Sequence, residues 1–351
     1  MGILNIRKIG IAVAVYEPNR QFLSSQLLSI QQQTFSSWIC TVVFDSPMSD
    51  VLADPLIRPF TEDDRFKWFE NPKRLGHRAN FERAIGLASE DLQISAIACA
   101  DQDDLWYPNK LETCAKALEA AGPLSLVHSD MHVSTECQSP DRTAWKVERR
   151  GVQNAQLPHL IVRNIVAGAA MLFDARLARL FPLIPDGVTY HDHWYALVAS
   201  TLGGVHAVHV PLYSYRQHES NLIGITPFRG TFKLNPGLKP SGVPEKCRAN
   251  WWKSKQLTHA LREQGLLVPP WVYFTFARRV DFGLSLLLFG TLHWSKDRPL
   301  ARACFARSFG KLLAALDPVF RFQPSVARWI AAIVAFCLAV PAEARSWLQR
   351  S

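Results

Sequence analysis

The sequence predicts an α/β domain built on a mostly parallel sheet, followed by a separate basic, helical region. Three observations predict it. Short β-branched runs alternate with stretches of helical spacing from Ile9 onward. Carboxylates stand directly after two of those runs, at Asp45 and at Asp101. Beyond Ile225, Pro and Gly punctuate a linker (Pro227, Gly230, Pro236, Gly237, Pro240, Gly242, Pro244), and the composition turns basic and Trp-rich.

Taken in order, Ile9–Tyr16 reads as a buried strand that ends in the turn chemistry of Glu17-Pro18-Asn19. Gln21–Gln33 places Phe22, Leu23, Leu27, Leu28 and Ile30 at close to helical spacing, and Trp38–Phe44 is a second strand. Strand, helix and strand in succession predict a parallel pair with a right-handed crossover. The stretch 51–70 is polar and loop-rich, with a short strand at Phe66–Phe69. Asn80–Ala88 is a helix, Ile94–Ala100 a third buried strand and Lys110–Ala121 an amphipathic helix. Leu124–Val127 is a strand, Thr135–Asn154 a polar excursion, and Ile165–Phe173 another strand. Tyr190–Leu202 is a helix and Val205–Tyr213 the last strand. Four helical segments follow the linker, at 251–265, 272–292, 300–316 and 325–339. The domains divide at 1–228 and 229–351.

The 351 residues, 48% hydrophobic and 20% charged, are ordinary for a packed globular protein. The net charge of +9 is uneven: residues 229–351 hold 19 basic and 6 acidic side chains, against 20 and 24 in the rest. Such asymmetry points to a polyanionic neighbour such as anionic lipid, a phosphorylated carrier or nucleic acid, or else to a solvated basic face. The seven cysteines have no CxxC spacing, which argues against a zinc site or a disulfide framework and for a reducing compartment. No apolar run reaches the length of a membrane span, and the N-terminus has no signal-peptide pattern; the expected location is cytoplasmic. The thirteen-residue run at 329–341 suits a buried helix or one lying in a membrane interface.

Asp101-Gln102-Asp103-Asp104 carries most of the chemistry. Three carboxylates in four residues repel one another, and a divalent cation relieves that repulsion. Hard oxygen ligands at a sheet edge suit Mg²⁺ or Mn²⁺ and leave positions for diphosphate oxygens. The competing reading is a solvated acidic loop with Asp104 capping the next turn. Asp45 is either a second acceptor in the same crevice or a turn residue. Arg74, Gly76, His77, Arg78 and Asn80 form a basic loop before a helix, suited to phosphate or a base edge. His191-Asp192-His193 opens a helix, where Asp192 is either a general base or a cap. Arg216 and His218 follow the last strand and offer a counter-charge and an imidazole.

Together these blocks resemble the family 2 glycosyltransferases of the GT-A fold, over about residues 9–224. Val13–Asn19 (VAVYEPN), Gln26–Phe35, Val43–Asp45, Leu75–Ala84 and Ala100–Leu111 (ADQDDLWYPNKL) are similar to that family's opening strand, helix, base-binding strand, donor loop and DxD element. His191–Leu197 and Tyr215–Gly224 are similar to rhamnosyltransferase-like members. The resemblance implies that Asp45 binds the base, with Tyr16, Glu17, Arg74, Arg78, Asn80 and Arg216 along the donor. It makes Asp103 the main metal ligand, Asp101 a ribose or metal contact, His218 a metal or diphosphate contact, and Asp104 and His191 supporting residues. Asp192 is then the base that activates the acceptor, with inversion at the anomeric carbon. The implied donor is a nucleotide-diphosphate sugar such as dTDP-rhamnose, and the implied acceptor a glycan or lipid-linked sugar. One departure stands out: Phe44-Asp45-Ser46-Pro47 replaces the paired acids and glycine usual after the second strand. The region 229–351 lies outside the resemblance and is expected to meet an anionic membrane surface or to cap the catalytic domain. A nucleotidyltransferase lacks its Gly-rich phosphate loop here, and a nucleic-acid-binding protein lacks a recognisable module.

Overall fold

The computed structural model describes residues 4–134, 142–148, 150, 152, 155–217, 242–269 and 272, with backbone alone at 242–251. The chain divides into two compact units, one of residues 1–147, 152–160 and 164–226, the other of 148–151, 161–163 and 227–351.

The first unit is organised by a mixed eight-stranded sheet. Its elements run β1 (Ile9–Val15), α1 (Arg20–Gln31), β2 (Trp38–Phe44), α2 (Ser49–Leu52), α3 (Arg58–Thr61), β3 (Phe66–Glu70), α4 (His77–Ser89), β4 (Ala96–Ala100), β5 (Leu105–Trp106), α5 (Lys110–Ala121) and β6 (Leu126–Ser134). There follow α6 (Ala144–Glu148), α7 (Leu157–Val162), a 3-10 turn at Gly168–Ala170, β7 (Met171–Asp174), α8 (Ala175–Leu180), α9 (His191–Thr201) and β8 (Val205–Arg216). The strand order is β3-β2-β1-β4-β7-β6-β8-β5. β1, β2, β3 and β4 pair in parallel, as does β6 with β8, whereas β7 lies antiparallel to both β4 and β6.

β1 and β4 are buried on both faces, and their unbroken apolar runs follow from that position. Gly10 in β1 permits close packing of α4: a Cβ there would lie 2.6 Å from the Ala88 carbonyl oxygen. α1 starts where the Asn19 side chain accepts from the backbone N–H groups of Gln21 (3.0 Å) and Phe22 (3.2 Å). It buries Leu23, Leu27 and Ile30, one stripe at helical spacing.

The structure departs from the sequence expectation at several elements. The polar stretch after Asp50 contains α2 and α3 before β3, closed by Arg65, whose Nε and Nη2 both donate to the Asp63 carboxylate. The strand at Leu126 runs on to Ser134, because register shifts at Ser129/Asp130 and Asp130/His132 keep it beside β8 while its outward residues turn polar. The strand expected over 165–173 is confined to β7, preceded by the 3-10 turn. Two-residue β5 was not read as a strand at all; it pairs with β8 through Leu105–Ser214 and Trp106–Tyr213.

In the second unit, α10 spans Gly242–Glu263, beginning within the stretch read as linker. It buries Leu257 and Leu261, and its Ser254 hydroxyl donates to the Ile161 carbonyl at 3.3 Å. The helical segments expected at 272–292, 300–316 and 325–339 lie outside the described residues, Val272 apart. Among the described residues no helix is long and apolar enough to cross a membrane.

Candidate active site

Because β1, β2 and β4 are parallel, their C-terminal ends bring Tyr16, Asp45 and Asp101 to one edge of the sheet. Edges of this kind, where loops diverge from the strand ends, are where open α/β sheets bind ligands. Two amides tie this edge together: Gln102, to which the sequence reading gave no role, and Asn80, which it placed along the donor. Gln102 Oε1 accepts from the Tyr16 backbone N–H (2.8 Å) and its Nε2 donates to the Tyr16 carbonyl (3.1 Å). Asn80, 2% exposed, donates to the Val15 and Val43 carbonyls (3.4 and 3.2 Å), bridging the ends of β1 and β2. Asn80 is thus a brace in this structure.

Asp45 is buried and occupied by its own chain. It accepts from Asn71 Nδ2 (2.7 Å) and from the backbone N–H groups of Leu75 (2.6 Å) and Gly76 (2.7 Å). Gly76, at φ 85°, is in the left-handed region that lets the loop turn back on the carboxylate. These bonds present Arg74, whose guanidinium lies 4.2 Å from the Tyr16 ring centroid. Arg78 is committed elsewhere, donating to the carbonyls of Ile184 (2.7 Å) and Pro185 (3.3 Å) and pairing with Asp186 (3.3 Å). Beside Tyr16, exposed Glu17 has φ 42°, a non-glycine residue in the left-handed region, and its N–H donates to Ser46 Oγ at 3.2 Å.

The acidic loop follows β4. Asp101 and Asp103 are half-buried and Asp104 is fully buried. Burial first, then the charges of Asp103 and Asp192, raise the Asp101 carboxyl to about 7. Asp192 stands in the first turn of α9, some ninety residues further along the chain. Asp192 Oδ1 accepts from Asn164 Nδ2 (2.9 Å) and from the His193 backbone N–H (2.5 Å). Its position inside the helix, one residue past His191, means that it is not the N-cap. The cap is Tyr190, without a side-chain bond. His191 is buried against Phe81, ring centroids 3.8 Å apart, and burial holds it neutral, its pKa far below the usual histidine value. Arg216 grips the loop from β8: its Nε donates to the Asp103 carbonyl (3.1 Å) and its N–H to Asp104 Oδ1 (3.4 Å), while its guanidinium covers Phe22 at 4.1 Å. His218 lies outside the described residues.

Asp101 and Asp103 suit a divalent cation, since their oxygens are hard and the repulsion that raises Asp101 is what a cation would relieve. Among the described residues no group of three His, Cys, Asp or Glu side chains gathers as a complete cage, so further ligands would come from elsewhere. A consequence for stability follows. An unfolded Asp titrates near about 3.9, so between about pH 4 and pH 7 the metal-free folded chain keeps a proton at Asp101 that the unfolded chain has released. At this site stability therefore falls as pH rises through that window. Melting temperatures across the window, with and without Mn²⁺, check this: the ion is expected to offset the fall, and equal pH dependence in both series would exclude it from Asp101.

The family described as glycosyl transferase family 2 matches residues 11–176. An uncharacterized glycosyltransferase of Methanocaldococcus jannaschii is 26% identical over 122 residues, which is 34% of this chain and 40% of that relative; the matched stretch thus spans less than half of the relative's length. Among solved structures, S. aureus TarS residues 1–349 in complex with UDP-GlcNAc aligns with 13% identity and a TM-score of 0.49, over 87% of this chain and 90% of that one. The mannosyltransferase PcManGT from Pyrobaculum calidifontis, in complex with GDP-Man and Mn²⁺, aligns with 16% identity and a TM-score of 0.48, over 95% and 86%.

Proposed function

We propose that this chain, whose residues 11–176 match glycosyl transferase family 2 and lie on a mixed eight-stranded sheet, moves a sugar from a nucleotide-diphosphate donor to a hydroxyl of a glycan or lipid-linked acceptor, with inversion. The observation that carries this reading is the half-buried pair Asp101 and Asp103 in the loop that leaves β4, at the sheet edge that Tyr16 and Asp45 also reach.

Asp192 takes the proton from the acceptor hydroxyl, whose oxygen attacks the anomeric carbon from the face opposite the departing diphosphate. Asn164 fixes the Asp192 carboxylate, and the N-terminal turn of α9 favours its charged form. Mg²⁺ or Mn²⁺, held by Asp101 and Asp103, would neutralise charge on the leaving diphosphate. The braced Asp45–Gly76 loop presents Arg74 and Tyr16 to the nucleotide, with one carboxylate lone pair of Asp45 left for a base N–H. The similarity of His191–Leu197 and Tyr215–Gly224 to rhamnosyltransferase-like members favours a dTDP-deoxysugar. The basic composition of 229–351 favours an anionic membrane surface carrying the acceptor, on its cytoplasmic face.

A panel of nucleotide sugars, each tested for thermal stabilisation with Mn²⁺ and with EDTA, tests the donor. One donor at a hundred times its Kd stabilises by about 2.7 kcal/mol, and that shift is expected only in the Mn²⁺ series. No stabilisation by any nucleotide sugar would overturn the reading.

A further inference from the structure

Asp192 stands between two histidines, and their rings hold the start of α9 from different sides. Successive helical residues turn by about 100°, so His191 and His193 point nearly opposite ways and Asp192 projects between them. The His193 ring is buried, and its Nε2 donates to the Leu160 carbonyl at 2.7 Å. His191 is held differently. It is 2% exposed, yet neither ring nitrogen has a hydrogen-bond partner among the described residues. An unpaired imidazole at that depth carries a desolvation penalty that an apolar side chain would not. What holds this ring is shape. One face stacks on Phe81 of α4, with centroids 3.8 Å apart and planes 19° apart. Its edge meets Gly168: a Cβ built on that glycine would lie 2.5 Å from His191 Nε2, and the three atoms nearest to it all belong to this ring. α4 also holds the chain that leads into α9. Arg78 Nη1 donates to the Ile184 carbonyl (2.7 Å), and Glu82 Oε2 accepts from the Ile184 N–H (2.6 Å).

We propose that His191 is a positioning residue: wedged between Phe81 and Gly168, its ring fixes the rotation of α9 about its axis and so aims the Asp192 carboxylate at the acceptor hydroxyl. This rests on the function proposed above. The other two holds on this turn, His193 on Leu160 and Asn164 on Asp192, both come from the chain at 160–164. Without His191 the turn would be tied on that side alone and could roll about it. A ring that only filled the space between α4 and the turn at 168–170 would affect stability and leave the chemistry alone. A ring that aims Asp192 affects turnover too, and only while residue 192 can take a proton.

The test reads turnover of the full chain as nucleoside diphosphate released from dTDP-rhamnose with Mn²⁺ and water as acceptor, or from whichever nucleotide sugar stabilises the parent. If none does, the function falls and this proposal with it. Gly168→Ala drives a methyl into the ring and is expected to lower kcat about a hundredfold, the scale of a reacting group displaced by about 1 Å. His191→Ala is expected to do the same, and donor Kd by calorimetry to stay unchanged in both. Gly168→Ala added to His191→Ala is expected to lower neither kcat nor Tm further, because the ring it would strike is gone. In an Asp192→Asn background, either substitution is expected to leave the residual rate unchanged, because an amide takes no proton wherever it points. Either one carries that comparison if the other does not fold. Parental kcat in His191→Ala, or an equal fall in both backgrounds, overturns the positioning role and leaves the base intact. Turnover that survives Asp192→Asn overturns the base itself, and the positioning role falls with it.

Discussion

Replacing Asp192 with Asn is expected to slow sugar transfer about 100- to 10,000-fold, the range of a lost general base, while nucleotide-sugar binding survives. The substitution is nearly isosteric. The amide oxygen of Asn can keep both bonds that Asp192 Oδ1 now makes, to Asn164 Nδ2 at 2.9 Å and to the His193 N–H at 2.5 Å. α9 should therefore start as before, with His191 still packed on Phe81. What disappears is a group able to take a proton. Asn also removes one of the charges that raise Asp101, so cation affinity should fall slightly. Turnover at saturating acceptor, with donor affinity measured by calorimetry, separates the two effects. Turnover close to that of the parent enzyme would remove Asp192 from the role of base.

The elements that the sequence made legible are those whose burial leaves a long apolar signature. Trp38–Phe44 and Lys110–Ala121 have the bounds that their patterns predict, and Ile9–Val15 is one residue shorter. β6 overran its expected end because a bulged strand beside β8 needs no apolar alternation in its outer half. β5 was invisible because two residues have no periodicity. For the site, a carboxylate at a strand end could be placed, since strand ends converge in a parallel sheet. Its partners could not. Arg78 reaches carbonyls more than a hundred residues away, and Gln102 and Asn80 act through amides that signal nothing by spacing. Lys110 was read as an ordinary first residue of an amphipathic helix; only its burial sets it apart.

Asp103→Ala carries the other large effect, and the structure explains why it should fold normally. Other groups also hold the loop: Arg216 binds the Asp103 carbonyl and Asp104, and Gln102 binds both backbone groups of Tyr16. Removing the Asp103 carboxylate also removes a charge that raises Asp101, so without metal the variant is expected to melt no lower than the parent. With metal the order reverses. Mn²⁺ should stabilise the parent and not the variant, and metal-dependent turnover should fall about 100- to 1,000-fold, the scale of losing one preorganised electrostatic partner. A variant that is as stable as the parent and yet inactive is the signature of a ligand, because a residue needed for folding would lose both together. Turnover that still responds to Mn²⁺ in Asp103→Ala would move the cation to other residues and leave Asp103 as one more charge on an acidic loop.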